Sequence, residues 1–260
     1  MSLPAYDLDF IRQVQQGAIS GARIINQAGT FSPTTGQARS LWTLGATANQ
    51  PVGEANTSLE IISSSASDTS AGTGAKTVYI EGIKLNGALQ TETVSMNGTA
   101  AVALANTYAR INLVRAATVG STETNAGNID VRTVSGSTVW ARMATNRGVE
   151  GMVSYTVPSG KNLYILDLEY SSVGTGADGS PPLLSVNFQG WEGLSQDTTM
   201  AVPLYRERHR WMSYRGQTFT KTFGYGFKLA AGTLWQPVVQ NLTANTVEVS
   251  ASATYLEISV

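Results

Sequence analysis

Between Thr77 and Val134 the chain alternates extended, β-prone runs with turn dipeptides, and this stretch constrains the fold more than any other. The run Thr-Val-Tyr-Ile-Glu-Gly-Ile-Lys-Leu leads into Asn86-Gly87, and Leu-Gln-Thr-Glu-Thr-Val-Ser-Met leads into Asn97-Gly98. Asn-Gly between such runs is a strong hairpin signal, because a type I′ turn needs positive φ at both central residues and these two tolerate it best. Two such turns eleven residues apart predict a β-meander. Strand-like runs continue through Val102–Leu104, Tyr108–Val114, Asn128–Val134 and Thr138–Met143, with clean alternation in Ile129-Asp-Val-Arg.

Before this stretch, Asp7 to Gly17 is the best helical candidate. Asp7 or Asp9 can cap it, and Phe10, Ile11 and Val14 share a face at helical spacing. Two uses of that face are open: packing on the protein's own sheet, or an arm reaching a neighbouring subunit. Residues 17–53 are rich in Gly, Pro, Thr and Gln, with Ile24-Ile25 and Leu41–Leu44 as short edge strands or anchors. Ser63–Ala75 reads as a flexible loop. Its single carboxylate, Asp68, is too few for a calcium site.

The pattern breaks at Ala144–Gly151 and restarts. Leu184, Val186 and Phe188 alternate with polar residues, and Tyr164, Leu166, Leu168 and Tyr170 fall on the face opposite Asp167 and Glu169. In the last run Val247, Val249, Ala251, Ala253 and Tyr255 alternate before Leu256 and Ile258 take the other parity, which predicts a bulge or a change of sheet. The expectation is an all-β chain of two antiparallel, jelly-roll-like β-sandwich domains with a short N-terminal helical arm. Residues 1–56 would be the arm and an extended segment, 57–148 the first sandwich and 149–260 the second.

Chemistry is sparse. Charged residues are 13% of the chain, about half the usual share, so small neutral polar groups coat the surface or much of it is buried against partners. The net charge of −1 argues against a nucleic-acid binder. The absence of cysteine excludes a disulfide framework, a thiolate zinc site and a cysteine nucleophile. No apolar run is long enough for a membrane span. No positive segment leads into an apolar one at the start, so synthesis in a cytoplasm without a secretory signal is expected.

His209 is the one histidine, it sits among arginines, and no Gly-x-Ser-x-Gly elbow accompanies it. Gly72-Thr-Gly-Ala lacks a P-loop lysine. A glycosidase needs only two carboxylates, which spacing alone does not exclude. However, Glu81, Glu92, Asp130, Asp167 and Glu169 are each explained by the outward parity of a half-solvated strand. The expectation is therefore no enzyme, no catalytic residue, no metal and no cofactor. The sharpest local feature is Arg206, Arg208 and Arg210, which regular alternation puts on one strand face with Glu207, His209 and Trp211 on the other. Either a solvated edge protected by charge or a contact surface accounts for it, and the excess of 12 Arg over 5 Lys favours contact. The candidate interface residues are Phe10, Ile11, Val14, Arg206, Arg208, Arg210 and Trp211.

Several segments carry a resemblance. They are Thr57-Ser-Leu-Glu-Ile-Ile-Ser-Ser-Ser-Ala-Ser-Asp, Gly-Thr-Gly-Ala-Lys-Thr-Val-Tyr-Ile-Glu-Gly, Glu-Thr-Val-Ser-Met-Asn-Gly-Thr, Tyr-Ala-Arg-Ile-Asn and Tyr155-Thr-Val-Pro-Ser-Gly-Lys, with the opening Val14-Gln-Gln-Gly-Ala-Ile-Ser-Gly-Ala-Arg-Ile-Ile-Asn. Together they resemble virion structural proteins of tailed bacteriophages, frequent in marine and environmental phages, over roughly residues 10 to 165 and loosely beyond. The matching motifs are turns and strands and carry no catalytic residues. The resemblance implies a virion component made in the host cytoplasm, of head decoration, cement or head-fibre type. Its partners would be copies of itself, as a homotrimer or another ring, and the major capsid protein or another virion protein. A tail or adsorption protein contacting host glycans is the alternative, and a polysaccharide-degrading enzyme a further one.

Overall fold

The computed structural model describes residues 8–33, 35–36, 38–44, 51, 53, 55–175, 183–191, 205–214, 218–242 and 246–260. Of these, 8–9, 38, 174–175, 183–191, 205–214, 219, 223–227 and 246 are described by their backbone alone. The chain runs α1 (Leu8–Gln15), β1 (Ala22–Phe31) and β2 (Ala38–Ser40). Next come β3 (Thr57–Ser63), β4 (Ala75–Ile83), β5 (Leu89–Ser95), β6 (Val102–Tyr108), β7 (Arg110–Val119), β8 (Ile129–Thr133) and β9 (Val139–Met143). The last are β10 (Tyr155–Thr156), β11 (Lys161–Thr175), β12 (Leu183–Trp191), β13 (Tyr205–Tyr214), β14 (Thr218–Leu229), β15 (Leu234–Asn241) and β16 (Thr246–Ser259). The fold is all-β with antiparallel sheets and a short N-terminal helix.

Two compact units share the chain. One combines Met1–Leu41 with Val153–Glu192 and Tyr205–Val260, and the other is inserted between them over Trp42–Met152. This differs from the expected boundaries of 1–56, 57–148 and 149–260. The reason is that β1 is a full strand partner of β16, from Ala22 opposite Ile258 to Phe31 opposite Val249. A pairing between the two ends of a chain leaves no local pattern. Gln27 disguises the strand further, because it points inward and is buried, its amide exchanging hydrogen bonds with the Ser154 backbone at 2.9 and 3.0 Å.

The outer unit packs sheet β1-β16-β11-β14 and sheet β10-β15-β12-β13, with β2 also on β15. Beside β15, Ala38–Ser40 pair with Gln240–Val238 and Tyr155–Thr156 pair with Trp235–Leu234, so β2 and β10 form one interrupted edge strand. Counted so, the unit is an eight-stranded jelly roll. The insert leaves and returns at neighbouring points of that edge, where Val153 N donates to Leu41 O at 3.0 Å.

The inserted unit packs β5-β4-β7 on β6-β3-β8-β9 around Leu59, Ile61, Val78, Ile80, Tyr108, Ile129, Val131 and Trp140. Of the predicted meander, the β4–β5 hairpin is present, from Thr77 opposite Ser95 to Ile83 opposite Leu89. Strand β6 instead joins β3 in the other sheet. The loop after β3 redirects it, since Gly98 N donates to Asp68 O at 2.7 Å and Ser63 N to Gly98 O at 3.0 Å. Positive φ occurs at Gly87 (81°) and Gly98 (61°) but not at Asn86 or Asn97, so neither turn is type I′.

Candidate functional site

Helix α1 lies on its own sheet. Val14, 4% exposed, packs with Leu166 of β11 and Leu256 of β16, and Phe10, Ile11, Ile19, Ile24, Tyr164 and Ile258 surround them. Of the two uses open to the face of Phe10, Ile11 and Val14, the structure shows packing on the protein's own sheet. The apolar patch that the helix covers belongs to the same chain. The connection after it is fixed as well, because Ser259 N donates to Gly21 O at 2.7 Å.

Arg206, Arg208, Arg210 and Trp211 lie on β13, paired with β12. A register shift separates the pairs His209–Phe188 and Glu207–Gln189, and Arg208 falls at that shift. The side chains of the three arginines, and those of His209 and Trp211, lie outside the described residues.

The carboxylates are where structure and sequence diverge most. Asp68 is fully buried. Its Oδ1 accepts from Ala75 N (2.7 Å) and Ala126 N (2.8 Å), and its Oδ2 from Ser63 Oγ (2.6 Å) and Gly127 N (2.9 Å). A carboxylate ringed by four donors has no lone-pair side turned to a cation. The loop over residues 63–75 is thus a fixed structure, not a flexible linker.

Glu92 performs a similar task between strands. It accepts from Ala105 N (2.8 Å), Asn106 N (3.2 Å) and Tyr108 Oη (2.7 Å), tying β5 to β6 where their sheets do not pair. Burial, reinforced by Glu92, raises the Tyr108 phenol far above its usual range. Asp130 is gripped by Arg142 through two contacts of 2.6 Å, which raise the Arg142 pKa, and Glu60 pairs with Arg132 at 2.8 Å. In the jelly roll, Glu257 accepts from Arg23 (2.9 Å) and from Tyr155 Oη (2.6 Å), while Arg23 also donates to Tyr155 Oη (2.8 Å). That knot joins β1 and β16 of one sheet to β10 of the other.

Two further carboxyl groups are buried. Glu81 on β4, expected to point outward, is 1% exposed, and Glu150 is 3% exposed. Burial first, and the charge of Glu81 after it, push the Glu150 carboxyl well above the ordinary range, against the opposing hydrogen bond from Val114 N. Two carboxyl groups are what a glycosidase uses. At 1% and 3% exposure, neither group is open to a polymeric substrate. The burial of Glu81 was illegible in the sequence, since its alternation on β4 is that of a solvated face.

Among the described residues no group of three or more His, Asp and Glu could hold a metal ion, and no helix is long and apolar enough to cross a membrane.

No protein-family model matches the chain, and no curated protein does either. Solved structures that align with it include the infectious bursal disease virus VP2 subviral particle, at 11% identity and a TM-score of 0.15, over 96% of this chain and 87% of that one. T=1 particles derived from infectious bursal virus align at 12% identity and 0.14, over 96% and 83%. The Gt strain of infectious bursal disease virus aligns at 12% and 0.13, over 96% and 87%. TM-scores this low carry no argument about the fold or the function of this chain.

Proposed function

We propose that the chain is a non-enzymatic structural protein of a tailed-bacteriophage virion, a capsid decoration, cement or head-fibre protein that assembles as a homo-oligomer on the head. The observation that carries this is the use made of the carboxylates. Asp68, Glu92, Asp130, Glu60 and Glu257 each fasten one strand or loop to another. An eight-stranded jelly roll supports the same reading, because that architecture recurs in viral capsids and in lectins, although a fold by itself does not fix a function. With charge at 13%, the surface loses little hydration on close contact, and heterologous contacts between copies close into rings such as trimers when the rotation allows.

The test is quantitative mass spectrometry of purified particles of the phage that encodes the chain. The expected result is many copies per particle at a fixed ratio to the major capsid protein. Absence from washed particles would refute the proposal. So would release of reducing sugar from a polysaccharide, abolished by a single carboxylate substitution. Binding on a glycan array together with a tail location would transfer the protein to adsorption.

A further inference from the structure

Two Asn-Gly dipeptides stand in the inserted unit, Asn86-Gly87 between β4 and β5 and Asn97-Gly98 between β5 and β6. Both asparagines are exposed, and both glycines have positive φ, 81° and 61°. Glycine after asparagine leaves the next main-chain nitrogen unscreened by a side chain, so the carboxamide can close on it in an intramolecular reaction. In sequence the two dipeptides are equivalent. The structure separates them.

At Asn86 the nitrogen is held by its own turn. Gly87 N donates to Lys84 O at 2.9 Å, and Lys84 N donates to Ala88 O at 2.9 Å. The carboxamide is folded forward along the chain, because Asn86 Oδ1 accepts from Ala88 N at 3.1 Å. That N–H points at the oxygen on which negative charge gathers when Cγ is attacked, the place where a donor helps the reaction. Leu85 N, bonded to Asn56 Oδ1 at 2.7 Å, anchors the first half of the turn and leaves the Asn86–Gly87 peptide to open by itself.

Asn97 is held by a different segment. Gly98 N donates to Asp68 O at 2.7 Å, and Gly98 O accepts from Ser63 N at 3.0 Å. A Cβ on Gly98 would come within 3.1 Å of Ala66 Cα, so the backbone is pressed against that loop. Thr69 bridges Asn97, and Ala100 N donates to Asn97 O at 3.1 Å. Freeing Gly98 N therefore disturbs the loop that Asp68 fixes through Ala75, Ala126 and Gly127. Opening an exposed turn costs much less than opening such a loop.

We propose that Asn86 is a modification site, converting spontaneously to isoaspartate and aspartate, and that the loop around Asp68 protects Asn97 from the same reaction. Hydroxide takes the proton of Gly87 N, the nitrogen bonds to Asn86 Cγ, the Cγ–Nδ2 bond breaks, and ammonia leaves. Water then opens the succinimide at either carbonyl. No oxidant and no metal enters. Each conversion adds a negative charge to a chain of net charge −1, and the isoaspartate product lengthens the main chain of the turn by a methylene.

The test keeps the full chain in mildly alkaline buffer at body temperature for weeks, then maps its peptides by mass spectrometry with electron-transfer fragmentation, which distinguishes isoaspartate from aspartate. In the native protein, Asn86 is expected to convert at least about tenfold faster than Asn97. In strong denaturant the two rates should agree within about threefold. Asn86→Ser should remove the acidic form that isoelectric focusing detects in the aged native chain, and Asn97→Ser should leave it. Equal native rates at the two asparagines would overturn the proposal. So would a native Asn86 that stays intact while both convert in denaturant, or an acidic form that survives in Asn86→Ser.

Discussion

Asp68 shows how a stretch composed like a linker comes to follow a fixed path. Ser, Ala, Thr and Gly between residues 63 and 75 have the composition of flexible chain, and the sequence reads as a loop for that reason. What orders it is one carboxylate that collects the amides of Ala75, Ala126 and Gly127, two of them nearly sixty residues further along. No local spacing announces such a convergence. Asp68→Asn replaces an acceptor oxygen with an N–H₂ facing donors, and it is expected to cost about 2–4 kcal/mol, read as a lowered denaturant midpoint with an unchanged slope. A loss under about 0.5 kcal/mol would mean that the loop holds itself without the carboxylate. The same logic hid Glu81 and Glu150, because alternation tells which way a residue points from its strand but not what other segment is laid over it.

At the scale of elements, most strands are legible and their partners are not. The change of parity at the end of β16 illustrates both halves. Val247, Val249, Ala251, Ala253 and Tyr255 are buried in the core, and Leu256 and Ile258 face the other way, as the pattern says. No bulge or change of sheet in β16 causes this. The strand stays in register with β1 throughout, and the second apolar face lies under α1. The irregularity sits instead in β11, where the register slips between Ile165 and Asp167, so that Tyr164 turns to the helix while Leu168 and Tyr170 enter the core. An amphipathic helix and a two-sided strand end were therefore both visible in the sequence, and what was missing was that each covers the other. Val14→Asp, which puts a carboxylate into that contact, is expected to destabilise the jelly roll by about 2–4 kcal/mol. Deleting residues 1–17 should lower its melting temperature and expose apolar surface to a dye such as ANS. A truncated protein that melts unchanged would restore the free-arm picture.

Over the whole molecule, one chain builds two sandwiches by interrupting an edge strand. The sequence shows a break near residues 144–151 but not its counterpart, because the insert begins inside a short edge strand, at Leu41 and Trp42, with no change in composition to mark it. Where the ends of an insert lie side by side, each body can close its own core. Joining Leu41 directly to Val153 is thus expected to leave a folded jelly roll, and residues 42–152 made alone should melt cooperatively. Failure of both pieces to fold would show that neither core is sufficient by itself. In the proposed virion role, this arrangement provides a jelly roll, suited to packing with copies of itself, and a second body inserted in its chain. The most direct measurement of that proposed role is cryo-electron imaging of intact particles of the proposed phage. The expected result is density on the head, repeated with the capsid symmetry and grouped around local threefold or other ring axes, into which both the jelly roll and the inserted sandwich fit. Heads bare of such density, with the chain found on the tail or outside the particle, would contradict it.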